Sequence, residues 1–139
     1  MKKLIGVIGS GYIGRNPFDR TAWSGSSYYF FKSCQRHGIL QRAFGVEVPK
    51  LERYLIMAKN FKPSKKDWAR NFNLDSCYYK KLTNQIKKNI QRGDENCNFM
   101  QIGGIYNTKQ CIDFNAKCFL YTDGNLMQFI NSPYFDYRI

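Results

Sequence analysis

A chain that runs Leu4-Ile5-Gly6-Val7-Ile8-Gly9 before reaching Ser10-Gly11 has few folds open to it. The run is too short for an ordinary helix, and its lack of apolar/polar alternation means that neither face expects water. That is the pattern of a strand buried on both faces of a parallel sheet. The sequence therefore reads as a Rossmann-like α/β domain, opening with a strand over residues 3–9, a glycine-rich loop and a helix.

The rest of the chain keeps up this alternation. Gly11, Gly14, Asn16 and Pro17 argue against a helix before Trp23. A first helix is expected from Ser24 or Ser26 as N-cap to His37-Gly38, with Gly38 as the left-handed residue after the helix end. A second strand follows from Ile39 to Val48, fraying at Gly45, and Pro49 opens a helix to about Asn60 with Leu51, Tyr54, Leu55 and Ala58 as its apolar stripe. Ser64 caps a helix holding Trp68, and Asp75 caps a longer one ending at Gly93. In that longer helix Tyr79, Leu82, Ile86 and Ile90 share one face, while Lys80, Lys81, Lys87 and Lys88 form a basic face. Strands are expected at Asn98–Gly103 and Lys117–Thr122, and a short helix from Asn125 to Ile130, stopped by Ser132-Pro133. The sum is a three-layer sandwich around a mostly parallel sheet of about four strands, in a single domain spanning 1–139.

Composition narrows the function classes. A net charge of +12 favours anionic partners, although a solvated lysine face accounts for the same excess. The 5 cysteines, Cys34, Cys77, Cys97, Cys111 and Cys118, are scattered without a CxxC pair, so no metal site is expected and the thiols fit a reducing compartment. His37, the lone histidine, sits where a helix C-terminus favours it and is assigned a structural role. Met1-Lys2-Lys3 and the apolar run lack a signal-peptide cleavage site, and no stretch approaches the roughly 20 apolar residues of a membrane span. The cytoplasm is the expected compartment, with peripheral contact at the inner membrane face left open.

Gly9-Ser10-Gly11-Tyr12-Ile13-Gly14 matches the GxGxxG dinucleotide fingerprint, and an NAD(P)-binding oxidoreductase domain is one reading. In that motif the helix starts on the glycines so that its amides meet the pyrophosphate. Here Asn16-Pro17 intervenes, and the residue before proline is steered out of helical conformation. The ribose-binding acid, due roughly 20 residues on, would fall inside the first helix, and Glu47 is the first acid after it.

The stretch Asn16-Pro17-Phe18-Asp19-Arg20-Thr21-Ala22-Trp23-Ser24-Gly25-Ser26-Ser27-Tyr28-Tyr29 resembles the N-terminal domain of GT-B glycosyltransferases of the group-one, family-four type. Phe99-Met100-Gln101-Ile102-Gly103 and Phe119-Leu120-Tyr121-Thr122-Asp123-Gly124 look like strand-and-loop segments of the same domain. The resemblance implies sugar transfer from a nucleotide-sugar co-substrate to a sugar, lipid or protein acceptor, with no other cofactor. It places Trp23, Ser24, Gly25, Ser26, Tyr28 and Gly103 near substrate or phosphate and makes Asp123 the candidate base for the acceptor hydroxyl. The competing readings are a Ser24 helix cap with a Trp23 staple, and an Asp123-Gly124 turn. A GT-B enzyme also needs a donor-binding domain, so an incomplete N-terminal domain is expected, inactive alone, its donor half supplied in trans or lost by truncation. The other alternative is a non-enzymatic basic module using Lys80, Lys81, Lys87 and Lys88 on anionic lipid or nucleic acid, of which nucleic acid is the less favoured for want of a recognisable motif.

Overall fold

The computed structural model describes residues 2–9, 16–21, 25–104, 106–112 and 114–122. Strands β1 (Leu4–Gly9), β2 (Leu40–Val46), β3 (Asn98–Ile102) and β4 (Cys118–Tyr121) form one sheet in the order β2-β1-β3-β4. Every pairing is parallel, with Leu4 opposite both Leu40 and Asn98, and Ile8 opposite both Gly45 and Ile102. All six residues of β1 are buried, as their unbroken apolarity requires of a central strand. The fold class expected from the sequence is the one found.

Helix α1 (Ser26–Arg36) crosses from β1 to β2, while α2 (Lys50–Lys59), α3 (Lys65–Asn73) and α4 (Ser76–Asn89) lie between β2 and β3. Because β2 and β3 flank β1 on opposite sides, right-handed crossovers place α1 on one face and the later helices on the other. Strand alternation agrees. A Cβ on Gly6 would lie 2.3 Å from the Phe31 ring of α1, whereas Ile5, Val7 and Phe99 join the core built with Ile56, Phe72, Tyr78, Leu82 and Ile86.

Local signals placed most helix ends. Ser64 Oγ accepts from the Asp67 amide at 3.3 Å, and Asp75 Oδ1 accepts from the amides of Cys77 and Tyr78 at 2.8 and 3.0 Å. Gly38 has φ +66°, and the His37 ring Nδ1 lies 2.8 Å from the Ser33 carbonyl, the contact of a helix-end histidine. Tyr78, not Tyr79, is the fully buried tyrosine of α4, and that helix stops at Asn89, short of Gly93. Gly45 is paired within β2. The helix expected from Asn125 to Ile130 lies outside the described residues.

The expected stripe of α2 is reversed. Leu51, Tyr54, Leu55 and Ala58 face outward, and the inward face is Arg53, Ile56, Met57 and Asn60. Polar ends need not keep a face out of the interior. The guanidinium of Arg53 lies 5.7 Å from the Phe72 ring, and Asn60 Nδ2 donates to Asp75 Oδ2 at 2.8 Å.

Asp75 thus caps α4 and ties it to α2. Burial alone would raise its pKa, but the hydrogen bonds from Asn60, the Tyr78 amide and Lys59 together outweigh that and hold it below the usual carboxylate value. A depressed folded pKa gives stability that is fully present above the unfolded value of about 4 and lost as pH falls through the folded one. Urea denaturation between pH 6 and pH 2 should show this loss below about pH 4, and Asp75→Asn, which can still cap, should flatten the fall.

Candidate ligand site at the carboxyl edge of the sheet

In open parallel sheets ligands bind beyond the carboxyl ends of the strands, where successive crossovers diverge to opposite faces. Here that point lies between β1 and β3, at Gly9 and Gly103. The start of α1 opens on the same edge, because α1 leaves from the carboxyl end of β1.

The first glycine of the fingerprint has a packing role. A Cβ on Gly9 would lie 2.3 Å from Cε1 of Tyr106, a ring only 2% exposed. The Tyr106 hydroxyl lies 2.6 Å from the Ile102 carbonyl and 3.1 Å from that of Val7, and burial pushes its pKa far above the usual range. Gly11 and Gly14, with Tyr12 and Ile13, lie outside the described residues.

The loop after β3 is held by one buried side chain. Gln101 Nε2 donates to the carbonyls of Gly103 and Tyr106, both at 2.7 Å, and its Oε1 accepts from the Thr108 amide at 2.9 Å. The Gly103 amide donates to the Tyr121 carbonyl at 3.0 Å, so both polar backbone groups of Gly103 are engaged. With φ +100°, what it brings to the edge is a tight turn.

At the start of α1 the N-cap is Gly25, with φ +83°, and Ser26 is the first helical residue; the expected caps were Ser24 or Ser26. A Cβ at Gly25 would lie 3.2 Å from the Arg20 carbonyl. Gly25 offers no side chain to the helix's leading amides, and the positive end of the helix dipole faces the carboxyl edge. Trp23 and Ser24 lie outside the described residues, as does Asp123.

The residues before the helix are shaped by their own side chains. Asn16 Oδ1 accepts from the Phe18 amide at 2.9 Å, and Asp19 Oδ1 accepts from the amide and hydroxyl of Thr21 at 2.8 and 2.7 Å. Those two bonds, the amide first, lower the Asp19 pKa. Phe18 sets its edge against Phe31 of α1. This brings Arg20 over the Tyr28 ring at 5.0 Å, with Nη2 donating to the Tyr28 hydroxyl at 3.3 Å. Arg20, an exposed cation beside a helix start, is the site residue that sequence reasoning missed. Its partner is 8 residues away across a turn, and no periodicity links the two.

The basic face of α4 stands apart from this edge group. Lys80, Lys87 and Lys88 are exposed, but Lys81 Nζ donates to Glu52 Oε2 of α2 at 2.6 Å, a bond that raises the lysine pKa. Glu52, Lys81, Asn84, Gln85, Lys87 and Lys88 line a shallow polar hollow. Among the described residues no three His, Cys, Asp or Glu side chains gather into a metal site, and no helix is long and apolar enough to cross a membrane.

Comparison of the chain with protein-family models, curated proteins and solved structures gives no match in any of the three.

Proposed function

We propose that this chain is the acceptor-side, N-terminal type of domain of a nucleotide-sugar-dependent glycosyltransferase, acting with a donor-binding domain of the same general fold. The observation that carries the reading is the glycine N-cap of α1, at the carboxyl edge of the sheet and flanked by the Arg20 guanidinium. Leading helical amides and a nearby cation suit a diphosphate oxygen, while the absent Cβ of Gly25 makes room for the Arg20 carbonyl. The Trp23-Ser24-Gly25-Ser26 resemblance then selects sugar nucleotides from among phosphorylated ligands. In this reading Asp123 takes the acceptor proton, and the acceptor is a sugar, a lipid or a protein.

A second reading has one observation in its favour. Glu47 directly follows the end of β2, the place of the ribose-binding acid in dinucleotide folds, although it is farther from the glycines than that motif requires. Calorimetric titration with UDP-glucose, GDP-mannose and NAD separates the two. The proposal expects weak saturable binding of a sugar nucleotide, Kd on the order of 1 mM, weakened at least about fivefold by Arg20→Ala. Saturable NAD binding that Glu47→Ala removes, with no response to either sugar nucleotide, would establish the second reading instead.

A further inference from the structure

We propose that the outer face of α2, together with the turn that follows it, docks on an anionic lipid bilayer. This inference is independent of the sugar-transfer reading. Leu51, Tyr54 and Leu55 are 72%, 62% and 64% exposed, and Phe61 just beyond the helix is 60% exposed. With Ala58, residues 51, 54 and 55 fall on one stripe of the helix, so they form a contiguous apolar ridge, unlike the single apolar side chains that any surface carries.

The charge around the ridge selects the occupant. At 100° per residue Lys50 and Lys59 flank the stripe on opposite sides, and Lys62, Lys65 and Lys66 continue past its end. With Arg53 turned inward, residues 50–66 offer this side five lysines against one acid, Glu52. That acid is bonded to Lys81, and Lys59 remains 67% exposed while reaching Asp75 at 3.3 Å. A second copy of the chain packed symmetrically on this face would set lysines against lysines. A nucleic-acid backbone would take the lysines but leave the leucines, tyrosine and phenylalanine in water. An anionic bilayer accommodates both, drawing the ammonium groups to its negative surface while Leu51, Leu55, Tyr54 and Phe61 enter the headgroup boundary. α4 itself exposes no large apolar side chain beside its lysines.

Co-sedimentation of the full chain with vesicles tests the proposal, using phosphatidylcholine alone and phosphatidylcholine mixed with phosphatidylglycerol, at about 50 and about 300 mM salt. Binding is expected on the acidic vesicles, weakening with salt, and Tyr54→Ser/Leu55→Ser should reduce it about tenfold or more. Both side chains are exposed, so the helical circular dichroism of that variant should be unchanged. Lys59→Gln/Lys62→Gln should weaken binding at low salt, whereas Lys80→Gln/Lys87→Gln/Lys88→Gln should change it less than about threefold. No binding to acidic vesicles at low salt overturns the proposal, as does binding that ignores Tyr54→Ser/Leu55→Ser. A dimer that this same variant dissociates, without vesicle binding, would assign the face to a second copy and also overturn it.

Discussion

Gly9→Ala lowers the stability of the chain by about 3 kcal/mol, the upper part of the usual range for forcing an extra methyl into a packed interior. The new Cβ would meet the Tyr106 ring at 2.3 Å, and that ring is held from its far end by the Ile102 and Val7 carbonyls. It cannot move aside without breaking buried hydrogen bonds. Thermal unfolding should fall by about 10 °C for a chain of this size. Tyr106→Leu costs stability by itself, but Gly9→Ala should cost much less in its presence, because the obstructing ring is gone. Equal cost in both backgrounds would remove the packing explanation for Gly9. Ligand titration on the same variants tells packing from phosphate contact at the first glycine of the fingerprint, since a purely packing role predicts unchanged affinity in any variant that still folds.

Asp94→Ala should be the second large effect, about 2 to 3 kcal/mol by urea denaturation. Arg42 of β2 reaches across to the end of α4, where Nη2 donates to the Asn89 carbonyl at 2.7 Å and to Asp94 Oδ2. Asp94 Oδ2 also accepts from the Gln91 amide at 2.8 Å. The cation therefore satisfies a terminal carbonyl of α4 and sits at the negative end of its dipole, with the carboxylate fixing it there. Removing the Asp94 carboxylate, itself 6% exposed, strands a guanidinium whose side chain is only 23% exposed. Partial access to water keeps the cost below that of a fully buried pair. Arg42→Met/Asp94→Leu should recover part of the loss by removing both charges; a double variant worse than Asp94→Ala would show that the Asn89 contact, and not the ion pair, dominates.

How far the sequence reached depended on the range of the interaction. Strand β1, the caps Ser64 and Asp75, and the glycine at position 38 are set by neighbours within a few residues, and each was readable. The inward face of α2 was not, because hydrophobicity ranks Leu51, Tyr54 and Leu55 above Arg53 and Asn60. What turns Arg53 and Asn60 inward is a ring and a carboxylate 15 or more residues away, on Phe72 and Asp75. At the site, the strand exits were legible from Gly9 and Gly103 and the neighbourhood of the α1 start from Ser24 to Ser26, but not the glycine cap itself. The reasons for them were not, since Tyr106 and Arg20 act through tertiary contacts.

The position of β1 in the middle of the sheet also has a consequence for how the chain is made. Its left-hand and right-hand neighbours begin at Leu40 and Asn98, so β1 cannot be covered on its second edge until β3 has been synthesised. At ribosomal speeds of about 5–20 residues per second, that leaves an apolar hexapeptide with an open edge for roughly 5–20 s. Over that interval the nascent chain presents a ready segment to any chaperone near the exit tunnel, and in its absence a template for pairing with neighbouring nascent chains.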